Sequence, residues 1–303
     1  MSERRACRAL GQPRGTQRYH AKPPRADDAA LRRRLTELVR QRPRFGFRRL
    51  HALLAREGWV VNLKRVHRLC RQEGFKVPRK ARKKLAKGTA ANACHVSPPT
   101  RPHEVLTWDF TFARTAAGST VKMLSLIDEY TRECLTLRVA RRCTAADCQE
   151  VVRALIHQRG APAALRSDNG PEFVAKELRA WLAKLDIGTR YVEPGSPWQN
   201  GKVESFHGKL KDEFVKPEVF LDLRDAASKA AAWQADYNHA RPHSSLGYQT
   251  PAAFAAAWRN PSTSAASGSA TKKPTAPEVP ALTIVPGAAA QPPPGVPTGV
   301  RPS

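Results

Sequence analysis

Three carboxylates in the second half of this 303-residue chain occupy positions from which they could do chemistry together. Asp109 lies inside the apolar segment EVLTWDFTF, Asp168 ends the short segment ALRSD before an Asn-Gly turn, and Glu204 begins a helical stretch after a loop. Carboxylates that are brought together repel one another unless a cation lies between them, and Mg²⁺ prefers oxygen ligands. Two such ions about 4 Å apart can activate a water or a sugar hydroxyl for phosphoryl transfer. The residue types therefore admit a metal-dependent phosphoryl-transfer site.

A second interpretation gives the same acids structural roles. The first would pair with a buried arginine, because an unpaired carboxylate inside an apolar strand is costly. The second would cap a turn, and the third would be an exposed acid on a helix. Composition alone leaves three further acids open as ligands: Asp128, Glu172 and Glu193.

The charge of the chain points to a polyanionic partner. Lys and Arg number 52 against 26 Asp and Glu, a net charge of +26, and residues 1–100 alone hold 27 basic and 6 acidic residues. Such an excess favours DNA, RNA or anionic membrane. Membrane is the weakest of these, because no run reaches the roughly 18 apolar residues of a spanning helix and the N-terminus has no apolar signal core. The sequence thus predicts a soluble, cytoplasmic protein.

The six cysteines contain no C-x-x-C pattern, which in a cytosolic chain predicts reduced thiols. His67-x-x-Cys70 and Cys94-His95 could hold zinc, although their spacing matches no paired-ligand pattern. A histidine on a helix face and a buried cysteine are the alternative.

Residues 29–75 show helical periodicity, with Leu31, Leu35 and Leu38 on one face. Two shorter helices follow, the last of them starting at Asn62 as N-cap. This pattern predicts a helix-turn-helix, and a generic basic bundle that touches only phosphates is the alternative. The predicted DNA contacts of this region are Arg48, Arg49, Lys64, Arg65 and Arg68.

From residue 101 the pattern changes to strands over 104–112, 120–134 and 135–142, followed by alternating helices and short strands. This order is typical of a mixed α/β layer fold. The predicted domains are a basic lead (1–28), the helix-turn-helix-like domain (29–75), a basic linker (76–100), the α/β catalytic core (101–258) and a disordered Pro/Ala-rich tail (259–303).

Five sequence motifs resemble those of a known family. In order along the chain they are FGFRRL, WDFT, SDNGPEF, SPWQNGKVESFHGKLKDEF and YNHARPHSSLGYQTP. With 35 residues between Asp168 and Glu204, they resemble the DDE transposase and retroviral-integrase superfamily. More narrowly, the chain resembles the second-frame transposase protein (OrfB) of the insertion-sequence family numbered three. The resemblance covers roughly residues 25–255.

The resemblance implies an RNase H-like integrase core in which Asp109, Asp168 and Glu204 are both the catalytic acids and the ligands of Mg²⁺, with Mn²⁺ as a substitute. It also implies a basic residue two helical turns after the glutamate, where Lys211 stands. Seven residues at about 100° each bring Lys211 within about 20° of Glu204 on a helix. Lys211 is therefore predicted to contact DNA, the alternative being a solvent-exposed lysine. Asn169 and Asn200 are predicted to shape the turns beside the acids.

The segment YNHARPHSSLGYQTP leaves two interpretations open. Its His239, Arg241 and His243 could touch DNA beside the active site. A proline-punctuated segment packed against the core accounts for them equally well.

The leading functional prediction is an insertion-sequence transposase that cleaves and transfers DNA strands. Its partners would be double-stranded DNA (the terminal inverted repeats and the target), further copies of the chain on DNA, and the upstream-frame protein (OrfA), separate or fused. It would act in the cytoplasm, at the nucleoid. A non-catalytic DNA-binding regulator and an RNase H-type nuclease without strand transfer are the alternatives.

Overall fold

A mixed five-stranded sheet forms the centre of the second half of the chain. The computed structural model describes residues 2–20, 25–77, 98–168, 170–191 and 201–259. Its strands run in the order β3-β2-β1-β4-β5. The first three form an antiparallel meander, whereas β4 and β5 join parallel to β1 and to each other. Their bounds are Val105–Arg114 (β1), Thr120–Asp128 (β2), Cys134–Ala140 (β3), Ala164–Ser167 (β4) and Gly188–Tyr191 (β5).

Helices cover both faces of this sheet, because neighbouring residues of a strand point to opposite faces. Leu124 and Leu126 face one apolar cluster, while Met123 and Ile127 face the other. The first cluster is completed by α6 (Ala145–Arg159), α7 (Pro171–Val174) and α8 (Lys176–Lys184), and the second by α9 (Gly201–Leu210), a π-helical turn (Lys211–Val215) and α10 (Leu223–His239). A 3₁₀ turn (Ser244–Leu246) and α11 (Pro251–Arg259) follow.

Helix α6 shows how local sequence sets these elements. Thr144 and Asp147 form a reciprocal capping box at its N-terminus, which satisfies two otherwise unpaired N–H groups. Gly160 ends the helix with φ at +84°, a conformation that residues with a Cβ rarely adopt. This helix is the crossover that a parallel connection from the meander to β4 requires.

A separate helical cluster precedes the sheet. Its buried side chains include Leu31, Leu35, Leu54, Val66 and Leu69. The predicted cap of its last helix is confirmed, since the Asn62 side chain accepts the Lys64 N–H at 2.8 Å. The helices of this part are α3 (Asp28–Gln41), α4 (Phe47–Arg56) and α5 (Leu63–Gln72), preceded by α1 (Glu3–Ala9) and α2 (Arg14–Gln17). None of the described helices is long and apolar enough to cross a membrane.

The second predicted strand ends earlier than expected. The second strand stops at Asp128 instead of running to residue 134, because the Asp128 carboxylate accepts the Tyr130 N–H at 2.8 Å and turns the chain. Helix α9 is α-helical only to Leu210 and then continues as the π turn. Most of the predicted linker, residues 78–97, and nearly all of the predicted tail, residues 260–303, lie outside the described residues.

An ion-pair cluster ties the start of α3 to α5. Arg65 donates to Asp28 at 2.6 Å and also binds Asp27, and only 4% of the Asp28 side chain is exposed. The Arg65 hydrogen bonds hold the pKa values of both aspartates below the usual range. Arg65, predicted to contact DNA, is therefore engaged inside the helical cluster.

We expect Arg65→Ala to lower the free energy of unfolding by about 2 kcal/mol, because the covered Asp28 carboxylate would lose its shortest hydrogen bonds and keep only the 3.3 Å contact with Arg68. Lys64→Ala is the matched control, because Lys64 is an exposed neighbour on the same helix. Chemical denaturation followed by circular dichroism measures both. Equal stability of the two variants would contradict the structural role of Arg65.

Candidate active site

The parallel pairing of β1 with β4 brings two of the predicted acids together. Thr107 lies opposite Arg166 in this pair. This is the last residue pair of the ladder; continued for two residues, past the end of β4 at Ser167, the same register sets Asp109 beside Asp168. Partners in register point to the same face of a sheet. The negative charge of Asp109 accordingly contributes to the raised pKa of Asp168.

The Asp109 side chain is 20% exposed and has partners on both oxygens. One oxygen accepts the Phe110 N–H at 2.6 Å, and the other lies 3.3 Å from Nδ1 of His207. The other ring nitrogen of His207 lies 2.8 Å from Oγ of Ser125, the residue paired with Asp109 across the β1–β2 ladder. The imidazole thus bridges a carboxylate and a hydroxyl and fixes the orientation of Asp109.

Asp168 lies at the surface immediately after β4. Its Oδ1 accepts the Gly170 N–H at 3.1 Å, and a Cβ on residue 170 would stand only 3.1 Å from that oxygen. A side chain at residue 170 would therefore crowd the carboxylate. Partial burial raises the pKa of Asp168, with further contributions from the carboxylates of Asp109 and Glu172.

Phe173 connects the two acid-bearing segments. Its ring stacks on Trp108 and Phe110, the neighbours of Asp109, at centroid distances of 4.8 and 4.9 Å. Because Phe173 follows Asp168 by five residues, this stacking fixes the turn after β4 against β1.

Glu204 stands on the exposed side of α9, in its first turn. Val203, Phe206 and Leu210 are buried on another side of the helix, against the sheet. His207 follows Glu204 by three residues, about one helical turn, and contacts Asp109. Among the described residues, however, no three His, Cys, Asp or Glu side chains converge closely enough to hold a metal ion. The structure brings Asp109 and Asp168 together, and Glu204 does not complete a cluster of three with them.

The donor set nevertheless fits a divalent cation. Burial and the charge of Asp109 both raise the pKa of Asp168, and a hard cation between the two carboxylates would offset their repulsion. Carboxylate oxygens are the ligands that Mg²⁺ prefers. Asp109 and Asp168 are therefore the described residues that would hold a magnesium ion.

Two of the other acids have structural partners of their own. Asp128 accepts the backbone N–H groups of His103 and Tyr130. Glu172 forms an ion pair with Lys122, and Glu193 lies outside the described residues. His207 was not anticipated from the sequence, although its spacing of three residues from Glu204 was a usable signal.

The predicted DNA contacts divide into two groups. Four of them are exposed, namely Arg48, Lys64, Arg68 and Lys211, of which Arg68 also lies 3.3 Å from a carboxylate oxygen of Asp28. Arg49 and Arg65 are instead engaged with acids of the protein, Arg49 lying 3.3 Å from Glu213. Asn169 and Asn200 lie outside the described residues.

The segment YNHARPHSSLGYQTP packs against the core. Arg241 is buried and donates two hydrogen bonds to Glu213, at 2.7 and 2.6 Å. His243 is buried beside it, and burial together with the Arg241 charge lowers the pKa of His243 to about 2. The packing interpretation is the one that the structure supports.

The zinc interpretation has no support in the described residues. His67 stacks on Phe47 at 4.2 Å, and Cys70 is buried in the helical cluster. Cys94 and His95 lie outside the described residues.

Known families match three parts of the chain. Residues 25–84 match the family described as HTH-like domain, and residues 99–197 and 185–251 match two families described as Integrase core domain. The chain is 37% identical to the 31.7 kDa protein of insertion element IS407 from Burkholderia multivorans, covering 86% of this chain and 92% of that protein. It is 26% identical to the transposase InsD of an IS2 element from Escherichia coli, covering 74% and 78%. The simian T-cell lymphotropic virus intasome matches with a TM-score of 0.46 at 16% identity, covering 73% and 72%.

A helix-turn-helix-like domain followed by an α/β core with paired carboxylates defines a protein of the integrase-core class, and the predicted fold is confirmed. The chain belongs to the insertion-element proteins of the DDE transposase and integrase superfamily. Its enzymatic type is accordingly that of a polynucleotidyl transferase.

We expect Asp168→Asn to raise the melting temperature slightly at pH 7. A carboxyl whose pKa is raised on folding contributes stability below its ordinary pKa of about 4 and loses it as pH rises through the folded-state value. The gain should therefore disappear on acidification. Asp147→Asn is the control of opposite sign, since Thr144 lowers the pKa of Asp147. A lower melting temperature for Asp168→Asn at pH 7 would contradict the electrostatic description of the site.

Proposed function

We propose that the protein is an insertion-sequence transposase that cleaves DNA at the ends of its element and transfers the resulting 3′ ends to a target. The observation that supports this most directly is the juxtaposition of Asp109 and Asp168 across the β1–β4 pair. Paired carboxylates in an integrase core domain suit phosphodiester chemistry because they can hold hard cations against phosphate oxygens.

Asp109, Asp168 and Glu204 would hold Mg²⁺, or Mn²⁺ in its place. The bound ions would supply charge stabilisation and lower the pKa of the attacking hydroxyl or water. The chain itself orients the ligands: His207 fixes the Asp109 carboxylate, and the Gly170 N–H fixes that of Asp168. Catalysis would come mainly from positioning and electrostatics, without a covalent enzyme intermediate.

DNA would be bound by the exposed basic residues of the helical domain and of the π-helical turn that follows α9. Arg48, Lys64 and Arg68 are exposed there, and phosphate contacts by such residues fix the register of the duplex. Lys211 would hold DNA beside Glu204. The substrates would be the terminal inverted repeats and target DNA, engaged by a homo-oligomer with an upstream-frame protein (OrfA), in the cytoplasm at the nucleoid.

Asp109→Asn, Asp168→Asn and Glu204→Gln should each abolish cleavage of a labelled element end while retaining DNA binding. The matched control is Glu177→Gln, an exposed acid away from the site. Gel analysis of nicked and joined products is the measurement. Metal-dependent cleavage that persists in any of the three variants would refute the assignment, nicks without joined products would favour a nuclease, and salt-sensitive binding without nicking would favour a regulator.

Metal binding can be tested without activity. We expect Mg²⁺ to raise the melting temperature of the unmodified chain, because a ligand that binds only the folded state stabilises it. Asp109→Asn should lose most of this shift, and Glu177→Gln should keep it. A shift of equal size in all three proteins would place the metal elsewhere.

A further inference from the structure

A basic cavity lies between the helical domain and the catalytic core, on the side of α9 away from Glu204. Its volume is about 270 Å³, several times the roughly 30 Å³ that one water occupies in the liquid. Five cationic side chains line it: Arg49 from α4, Arg132 from the β2–β3 turn, Lys202 and Lys209 from α9, and Arg241. We call it the junction pocket.

The two pocket lysines of α9 lie on a different side of the helix from Glu204, which separates the junction pocket from the candidate active site. Lys202 and Lys209 are turned by about 140–160° around the helix axis from Glu204. The two lysines therefore share a stripe that the acid does not. The helix presents a carboxylate on one side and two lysines on another.

Acids balance the positive charges of the junction pocket only in part, through Glu213 and through Glu129, whose charge opposes the lowering by burial of the pKa values of Lys202 and Arg132. No Asp or Glu is among the described residues that line it. Glu213 lies behind the lining and is engaged with Arg241 and Arg49. Burial, followed by the charges of Arg241 and Arg49, lowers the pKa of Lys209 to about 8. A purely structural cluster would pair each cation with an acid, because uncompensated buried charge is costly.

The rim of the pocket suits an oxyanion that arrives from solvent. Its exposed residues are small, namely Gly201, Ser205, Ser244 and Ser245. The Lys209 ammonium already donates to Ser205 Oγ at 3.0 Å. Serine hydroxyls and ammonium groups are common donors to phosphate oxygens.

Backbone strain at the same place agrees with a ligand site. Arg132 has φ at +65°, the left-handed region that residues other than glycine seldom adopt. Strained residues of this kind cluster at ligand sites. Here the strain places a guanidinium in the wall of the junction pocket.

We propose that the junction pocket binds a phosphodiester group of the DNA on which the protein acts, with Lys209 and Lys202 as its principal contacts. DNA is the favoured source of the phosphate because Arg49 reaches the pocket from the helix-turn-helix-like domain. A duplex held by that domain would cross the junction on its way to the core. This assignment rests on the part of the proposed function that has the protein bind DNA. It does not require that the protein cleave DNA.

The test measures the affinity of the full chain for a labelled double-stranded oligonucleotide by fluorescence anisotropy at several salt concentrations, without metal. Each phosphate contact contributes about 0.9 to the slope of log affinity against log salt. Lys209→Gln and Lys202→Gln should each reduce that slope by about 1 and weaken binding several-fold at low salt. Lys209→Arg, which keeps the charge, should restore the wild-type slope.

Lys229→Gln is the matched control, since Lys229 lies on α10 and pairs with Asp225 at 3.0 Å. Its slope should equal that of the unmodified chain. Slopes unchanged in both pocket variants would overturn the proposal. Inorganic phosphate that raises the melting temperature of the wild type, with unchanged DNA slopes in the variants, would also overturn it in favour of a small-anion site. Loss of cleavage alone would bear on the proposed function and leave the pocket assignment standing.

Discussion

The parallel pairing of β1 with β4 is the constraint on which the candidate active site depends. A slip of one residue would turn every side chain of a strand to the opposite face, so Asp109 would leave the face it shares with Asp168. The apolar cluster on one side of the sheet resists such a slip, because Leu106 and Leu165 are both buried in it. The stacking of Phe173 on Trp108 and Phe110 then fixes the turn that carries Asp168. The geometry of the candidate active site therefore depends on the apolar packing that holds β1 and β4 in this register.

The basic charge of the first third of the chain serves two purposes. Part of it attaches the helical domain to the core: Arg42 pairs with Asp236, Arg49 lies 3.3 Å from Glu213, and Arg56 donates to the carbonyl of Ala240 at 2.8 Å. Of the remainder, Arg65 pairs with Asp28 inside the helical domain, whereas Arg48, Lys64 and Arg68 are exposed. Net charge therefore predicts a polyanionic partner but overstates the number of residues available to it. The segment FGFRRL contains a basic residue of each kind: Arg48 is exposed, and Arg49 is turned toward the core.

The sequence correctly predicted those structural features that depend on residues close together in the chain. Helical periodicity identified the core of the helical domain, and the N-cap at Asn62 followed from the residue type. The pairing of Arg65 with Asp28 was missed because the partners are 37 residues apart and no local pattern encodes the contact. Asp128 was open as a ligand for the same reason, since its backbone partners appear only once the turn has formed. His207 was overlooked because its two contacts, Asp109 and Ser125, come from different strands.

Helix α9 joins two sites that carry opposite unbalanced charges. On one side burial, with the neighbouring carboxylates of Asp109 and Glu172, raises the pKa of Asp168, and on another burial, with the charges of Arg241 and Arg49, lowers the pKa of Lys209. Each imbalance costs stability in the free protein and is relieved by a ligand of opposite sign, a cation for the acids and a phosphate for the lysines. Because Phe206 and Leu210 seat the helix on the sheet, the two sites are held at a constant separation. A duplex that delivers a phosphate to the junction pocket would therefore present its neighbouring phosphates at a defined distance from the metal ligands.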